Sequence, residues 1–215
     1  MKTIGIVGNG PTNILPNLSL YKYNVDYWIG ADRGAVTLLE QNIALDLAVG
    51  DFDSVTSQEK SKIQQYAGLF QEYAIEKDET DIEIALRKAF KLNPDKIILF
   101  AVTGGRLDHT LANIQLLKTI ITKDIEAVII DQQNKIELTL PGSYIVHNDH
   151  EYPNLSFIPV TEQVKGLTLT DFYYPLTDAT ICYGSTLSIS NKLLLNNGTF
   201  SYKEGILLFI KSRDL

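Results

Sequence analysis

A chain of 215 residues with a formal net charge of −7 is long enough for one large domain or two small ones, each with its own core. It has no basic run, which argues against a nucleic-acid or membrane-surface partner, and no apolar stretch reaches the roughly 20 residues of a membrane span. Its single cysteine, Cys182, excludes an intrachain disulfide and a thiolate metal cluster, and is expected to pack as a small core hydrophobe.

In chain order, short apolar runs stand at TIGIVG (3–8), VDYWIG (25–30), LDLAVG (45–50) and KIILFAV (96–102). Each ends in glycine or a polar turn, as buried strands do. Trp28, flanked by Tyr27 and Ile29, reads as core. The N-terminal run is too short for a signal peptide, so the expected location is the cytoplasm.

Segments of helical spacing alternate with these runs, at 33–42, 57–68, 80–90 and 108–120. In the third, Ile82, Ala85, Leu86 and Ala89 share a face, and Thr80 with Glu83 makes a capping box. In the fourth, the shared face holds Leu111, Ile114, Leu117 and Ile120. Alternating strands and helices predict a mostly parallel sheet covered by helices.

The pattern changes near residues 123–126. EAVIIDQQNKIELTL (126–140) reads as two strands around a polar turn. SYIVH, LSFIPV, VKGLTLT, STLSISN, GTFSY and GILLFIK follow, with no helical period. An antiparallel sandwich or barrel fits. His147 and His150, in HNDHEYP (147–153), read as solvated loop residues; with His109 distant and no partner cysteine, a zinc site is not expected. DFYYP (171–175) reads either as an exposed aromatic loop or as hairpin aromatics.

The chemistry gathers at the ends of the first-half strands. Four polar, glycine-rich segments sit there: GNGPTN (8–13), GADRGA (30–35), GDFDS (50–54) and TGGRLDH (103–109). In an open parallel sheet they share one rim, where ligands bind. Gly104 and Gly105 would allow close approach of a phosphate, and Arg106 could add a bidentate contact. The same segment reads equally as a glycine turn with Asp108 capping the next helix and His109 in its first turn. It lacks the P-loop spacing, and without GxGxxG a nicotinamide cofactor is unsupported.

In an extended chain Asp51 and Asp53 point one way and Phe52 the other. Two such carboxylates raise each other's pKa unless a cation joins them. One of them could instead cap the next helix. Asp81 belongs in the first turn of its helix, where the dipole favours it, but capping does not require Asp78 as well. Aspartates in two clusters beside glycine loops suggest a magnesium nucleotide site.

ADRGA, VGDFDSV, KDETDIEIAL and GGRLDHTLANI, in that order, resemble the motif series of the thiamine pyrophosphokinase family. STLSISN (185–191) and the closing GILLFIKS are similar to that family's C-terminal region. The resemblance implies an N-terminal α/β domain over 1–124 that binds ATP and Mg²⁺. It implies a C-terminal β-sandwich over 125–215 for thiamine binding and dimerisation. The implied reaction moves the diphosphate of ATP to the hydroxyl of thiamine, giving thiamine diphosphate and AMP, in a homodimer with active sites between subunits.

The resemblance also assigns residues. Asp51, Asp53 and Asp81 would hold the metal, with Asp78 and Arg106 joining them in catalysis. ATP would meet Asn9, Asp32, Arg33, Gly34 and Lys77, and in the glycine loop Thr103, Gly104, Gly105, Arg106, Asp108 and His109. Thiamine would meet Thr80, Asp81, Ser188, Ser190 and Asn191. Arg33 departs from the family pattern, standing where a small residue is usual. Rival readings are a magnesium-dependent nucleotidyl or diphosphate transferase with another small acceptor, and a non-catalytic thiamine or nucleotide binder.

Overall fold

A computed structural model describes residues 1–214, and the chain divides into two units, the second beginning at Gln133. In the first unit the elements run β1 (Thr3–Val7), β2 (Tyr27–Ala31), α1 (Gly34–Glu40), β3 (Leu47–Gly50), α2 (Ser57–Tyr66), β4 (Leu69–Glu72), α3 (Asp81–Phe90), β5 (Lys96–Phe100), α4 (Leu107–Ile121) and β6 (Glu126–Ile130). The strands lie in the order β4-β3-β2-β1-β5-β6, every pair parallel. β1 and β3 are buried along their whole length, which is why they read as unbroken apolar runs rather than alternations.

From β1 the chain steps outward to β2, β3 and β4, then returns to lay β5 and β6 on the other side. That reversal opens a crevice at the carboxyl ends of β1 and β5, the usual ligand position in open sheets. Two hydrogen bonds tie the loop after β1 to the end of β5: Gly8 N–H donates to Phe100 O at 2.9 Å and Gly10 N–H to Ala101 O at 2.7 Å.

Trp28 is buried and packs beside Phe100, their ring centroids 5.8 Å apart, as its flanking residues predict. All four apolar residues of the α3 face are buried. On α4 only half of the expected face is. Leu117 and Ile120 are buried, Ile114 is partly so and Leu111 is exposed. The first turns of α4 stand at the rim rather than on the sheet, and buried Asn113 ties them down by donating to Val102 O at 2.9 Å.

β4 has no apolar signature because it is a partly exposed edge strand of four residues, paired to β3 alone. β6 continues the parallel sheet beside β5, so the division between units falls after it, beyond residues 123–126.

The second unit holds β7 (Asn134–Thr139), β8 (Gly142–His147), β9 (Asn154–Pro159), β10 (Gln163–Thr170), β11 (Leu176–Cys182), β12 (Asn197–Tyr202) and β13 (Leu207–Ser212). They pair antiparallel in the orders β7-β13-β9 and β11-β10-β12-β8. Side chains from both sets meet in one core around Phe157, whose ring lies 5.2 Å from Phe209 and 5.0 Å from Phe200. This is the sandwich the sequence predicts.

Three expectations for this half change. Cys182 is exposed, not core: it ends edge strand β11, where its neighbour Ile181 takes the inward position. His147 ends strand β8 rather than lying in a loop, although it is exposed and shares a 2.7 Å contact with Asn197 Oδ1. STLSISN forms no strand; it is a turn-rich connection between β11 and β12. DFYYP divides, with Phe172 buried in the core and Tyr173 and Tyr174 exposed.

At the start of α1, a Cβ on Gly34 would lie 1.9 Å from the carbonyl oxygen of Val7. Gly184 has a φ of +87° but no neighbour within 4 Å of its added Cβ. Urea denaturation should therefore show Gly34→Ala at or beyond the top of the roughly 1–3 kcal/mol overpacking range. Gly184→Ala should show only the backbone penalty of about 1–2 kcal/mol.

Candidate active site

The site is built where β2 and β3 end. Asp32 follows β2 with a left-handed backbone, φ 52°, and is 5 % exposed. Its N–H donates to Val49 O at 2.8 Å, locking it to β3. Gly50 closes the gap: a Cβ there would stand 3.1 Å from the Asp32 backbone. Asp32 Oδ2 accepts from Ser54 Oγ at 2.6 Å and from Asn9 Nδ2 at 3.0 Å. Its other oxygen, Oδ1, is buried with no hydrogen-bond partner. Buried polar atoms are almost always satisfied, so this one marks a place where a ligand would bind.

Asp51 and Asp53 converge as expected, but not by strand alternation. Phe52 is left-handed, with φ 57°, and turns the chain sharply. Its ring is buried and stacks on Phe70 at 4.7 Å. That anchor opposes a backbone cost of roughly 1–2 kcal/mol. The Asp53 N–H donates to Asp51 Oδ1 at 3.2 Å. Carboxylate oxygens of Asp32, Asp51 and Asp53 then lie within 4.8 Å of one another. Such an all-oxygen donor set suits a hard divalent cation such as Mg²⁺.

Lys77 and Asp81 complete the acidic rim. The Lys77 ammonium is 2.6 Å from Asp51 Oδ2 and 3.1 Å from Asp81 Oδ1. Asp81 opens α3, whose capping box is formed as predicted by Thr80 and Glu83. Burial pushes the Asp81 carboxyl up, and Lys77 only partly offsets it. Repulsion from Asp51 raises Asp53. Asp51 itself is lowered: burial opposes ionisation, but hydrogen bonds from Lys77 and the Asp53 N–H outweigh it.

The remaining first-unit residues take varied positions. Gly34 is buried and serves close packing of α1 on β1. Arg33 is engaged with Glu59 at 3.0 Å and Ser54 O at 3.1 Å. Asp78 is exposed, and the Thr80 hydroxyl is used as the cap of α3. Gly104 is left-handed, φ 78°, and Gly105 has only Pro11 near its missing side chain. Arg106 and Asp108 form an exposed pair, which holds the Asp108 carboxyl down at about 2. Asp108 does not cap α4; Arg106 occupies the cap position and Asp108 lies in the first turn, beside exposed His109.

Two site residues escaped the sequence reading. Ser54 fixes the orientation of Asp32, and its signal was its place in GDFDS. Asp131, beyond β6, accepts from the buried Thr103 hydroxyl at 2.6 Å and so holds the base of the glycine loop. Nothing in IIDQQ marked it out.

In the second unit, Ser188 and Asn191 are buried and their side chains serve the unit itself. Ser188 Oγ donates to Phe157 O. Asn191 Nδ2 donates to Tyr174 O at 2.8 Å, and its Oδ1 accepts from Tyr174 N–H at 3.0 Å and Lys192 N–H at 2.8 Å. Ser190 is exposed and left-handed, φ 55°.

An open parallel sheet with carboxylates, a lysine and a glycine loop at its carboxyl rim has the form of a nucleotide-handling α/β enzyme. Comparison with known proteins is specific. Residues 18–129 match the family model "Thiamin pyrophosphokinase, catalytic domain", and residues 143–207 match "Thiamin pyrophosphokinase, vitamin B1 binding domain". The chain is 47% identical to a Bacillus subtilis thiamine pyrophosphokinase, with 100% of both chains covered. A crystal structure of the Bacillus subtilis protein superposes with a TM-score of 0.93 at 46% identity, covering 100% of both chains. One from Geobacillus thermodenitrificans gives 0.89 at 46% identity, covering 99% of this chain and 98% of that one. The chain belongs to the thiamine pyrophosphokinase family.

Because Asn191 satisfies three part-buried backbone groups, Asn191→Ala should cost about 3 kcal/mol of stability, at about 1 kcal/mol, the low end of the range, for each orphaned group. Ser190→Ala should leave the denaturation midpoint unchanged. Chemical denaturation of the two variants separates a scaffold residue from a surface one.

Proposed function

We propose that the protein transfers the diphosphate of ATP to the hydroxyl of thiamine, giving thiamine diphosphate and AMP. The observation that carries this reading is the convergence of Asp32, Asp51 and Asp53, together with the unpartnered, buried Oδ1 of Asp32, in a chain whose two halves match the family's two domains. Asp51, Asp53 and Asp81 are the proposed metal ligands, and the same geometry adds Asp32. Bound there, Mg²⁺ would supply neutralisation of phosphate charge.

The chain's own groups do the rest. The thiamine oxygen attacks the β-phosphorus of ATP, the bond to the α-phosphate oxygen breaks, and AMP leaves. Positioning and charge stabilisation dominate such transfers. Lys77 and Arg106 are the proposed phosphate cations. Arg106 exchanges Asp108 for phosphate at little cost, since both partners are exposed. The backbone at Gly104 and Gly105 receives phosphate oxygens, with Thr103 held beneath by Asp131. Asn9 orients Asp32, and His109 and Asp108 flank the loop at the start of α4. Asp81 is the proposed base for the hydroxyl proton. Its place at the rim beside Lys77 favours it over exposed Asp78.

Thiamine's permanent positive charge suits this acidic rim. Its rings are assigned to the second unit, where the match to the vitamin B1 binding domain includes 185–191. Ser190 is the proposed direct contact there, with Ser188 and Asn191 shaping the turn. A homodimer with active sites between subunits is part of the proposal. Exposed Leu187, Ile189, Leu194 and Leu195 on the second unit offer apolar surface for a partner copy. The proposed setting is cytoplasmic, with no nucleic-acid or membrane partner; among the described residues no helix is long and apolar enough to cross a membrane.

Incubation with Mg-ATP and thiamine, followed by mass spectrometry, should show thiamine diphosphate and AMP in equal amounts. Formation of ADP, or transfer of AMP to thiamine, would contradict the reading. Asp51→Asn and Asp53→Asn should each lower kcat at least a hundredfold. Asp53 carries a raised pKa because Asp51 repels it, so its ionisation opposes folding as pH rises through the carboxylate range. Asp53→Asn should accordingly raise the thermal midpoint near neutral pH while it abolishes turnover.

A further inference from the structure

Lys77 lies in the irregular connection between β4 and α3, yet its side chain is only 16 % exposed. Its ammonium takes one oxygen from Asp51 and one from Asp81. Among the described residues it is the only cation within ion-pair distance of Asp32, Asp51, Asp53 or Asp81; Arg33, the nearest in sequence to Asp32, is paired with Glu59.

We infer that Lys77 is the resident cation of this rim: without nucleotide it keeps the carboxylates from retaining a free divalent ion, and it yields them when phosphates arrive. The inference rests on the magnesium-nucleotide reading above and concerns what Lys77 does there. Two effects act together. The ammonium occupies oxygens that would otherwise ligate, and its positive charge opposes a second cation at close range. Four carboxylates with one ammonium carry less negative charge than four alone. A phosphate offers the ammonium an equally charged acceptor. Its flexible four-carbon stem lets the ammonium change partners without moving the backbone. Metal affinity and nucleotide affinity are then coupled: the ion enters together with ATP rather than before it.

The test is Mn²⁺ binding to the full chain without nucleotide, read by electron paramagnetic resonance of the free ion. Lys77→Gln should bind Mn²⁺ at least tenfold more tightly than the unaltered protein. Lys77→Met keeps the stem, removes the charge and should do the same, should the first variant fold poorly. Lys77→Arg retains the charge and should bind as weakly as the unaltered protein. Unchanged or weaker Mn²⁺ binding in the folded uncharged variants overturns the inference and leaves the metal site standing. Absence of Mn²⁺ binding by every form, with ATP present as well as without, overturns the metal reading and the inference with it.

Discussion

Like charges gathered in a small volume repel, and the first unit holds three carboxylates with oxygens within 4.8 Å of one another. Most of the local structure can be understood as what it takes to keep them there. Asp32 and Phe52 both adopt left-handed backbones, a conformation that L side chains rarely take. Gly50 lets the ends of β2 and β3 approach. Phe52 and Phe70 stack on the apolar side, so that burial opposes the strain and the repulsion. Ser54 and Asn9 hold one face of Asp32 and leave the other buried and unpaired. A fold selected for stability alone has no need of this arrangement; a fold that handles a polyphosphate does.

The two units contribute differently. In the first, carboxylates at the rim converge on one another and on Lys77. In the second, the segment most like a binding motif is first of all architecture. Ser188 and Asn191 use their side-chain hydrogen bonds to fix a turn that is not itself a strand and whose backbone meets β9 at Phe157 and Leu155. Asn191 bridges it to Leu155 through the backbone and to Tyr174 through the side chain. The motif's polar residues are thus compatible with a binding role for the turn's surface, while the buried ones set its shape.

Much of this was legible from the residues. Strands buried on both faces announce themselves as apolar runs, and the four glycine-rich ends named the rim before any geometry was known. The capping box at Thr80 formed as written. What escaped notice did so for physical reasons. β4 and β11 are edge strands with few inward side chains, so no pattern marks them. Leu111 belongs to the right helical face but to a turn that overhangs the rim. The convergence of Asp51 and Asp53 was expected from alternation, whereas a left-handed phenylalanine produces it, and no pairwise spacing rule anticipates that. Asp131 acts across long sequence separation, where a single chain carries no signal.

The central claim is that the carboxylates at the ends of β2 and β3 form the cation site of a diphosphate-transfer centre. Anomalous diffraction from crystals grown with Mn²⁺ and a non-hydrolysable ATP analogue tests it most directly. The account predicts an anomalous peak about 2.1 Å from oxygens of at least two of Asp32, Asp51 and Asp53, with phosphate oxygens completing the shell. A nucleotide bound in this rim with its metal elsewhere, and these carboxylates still paired only to protein groups, would contradict it.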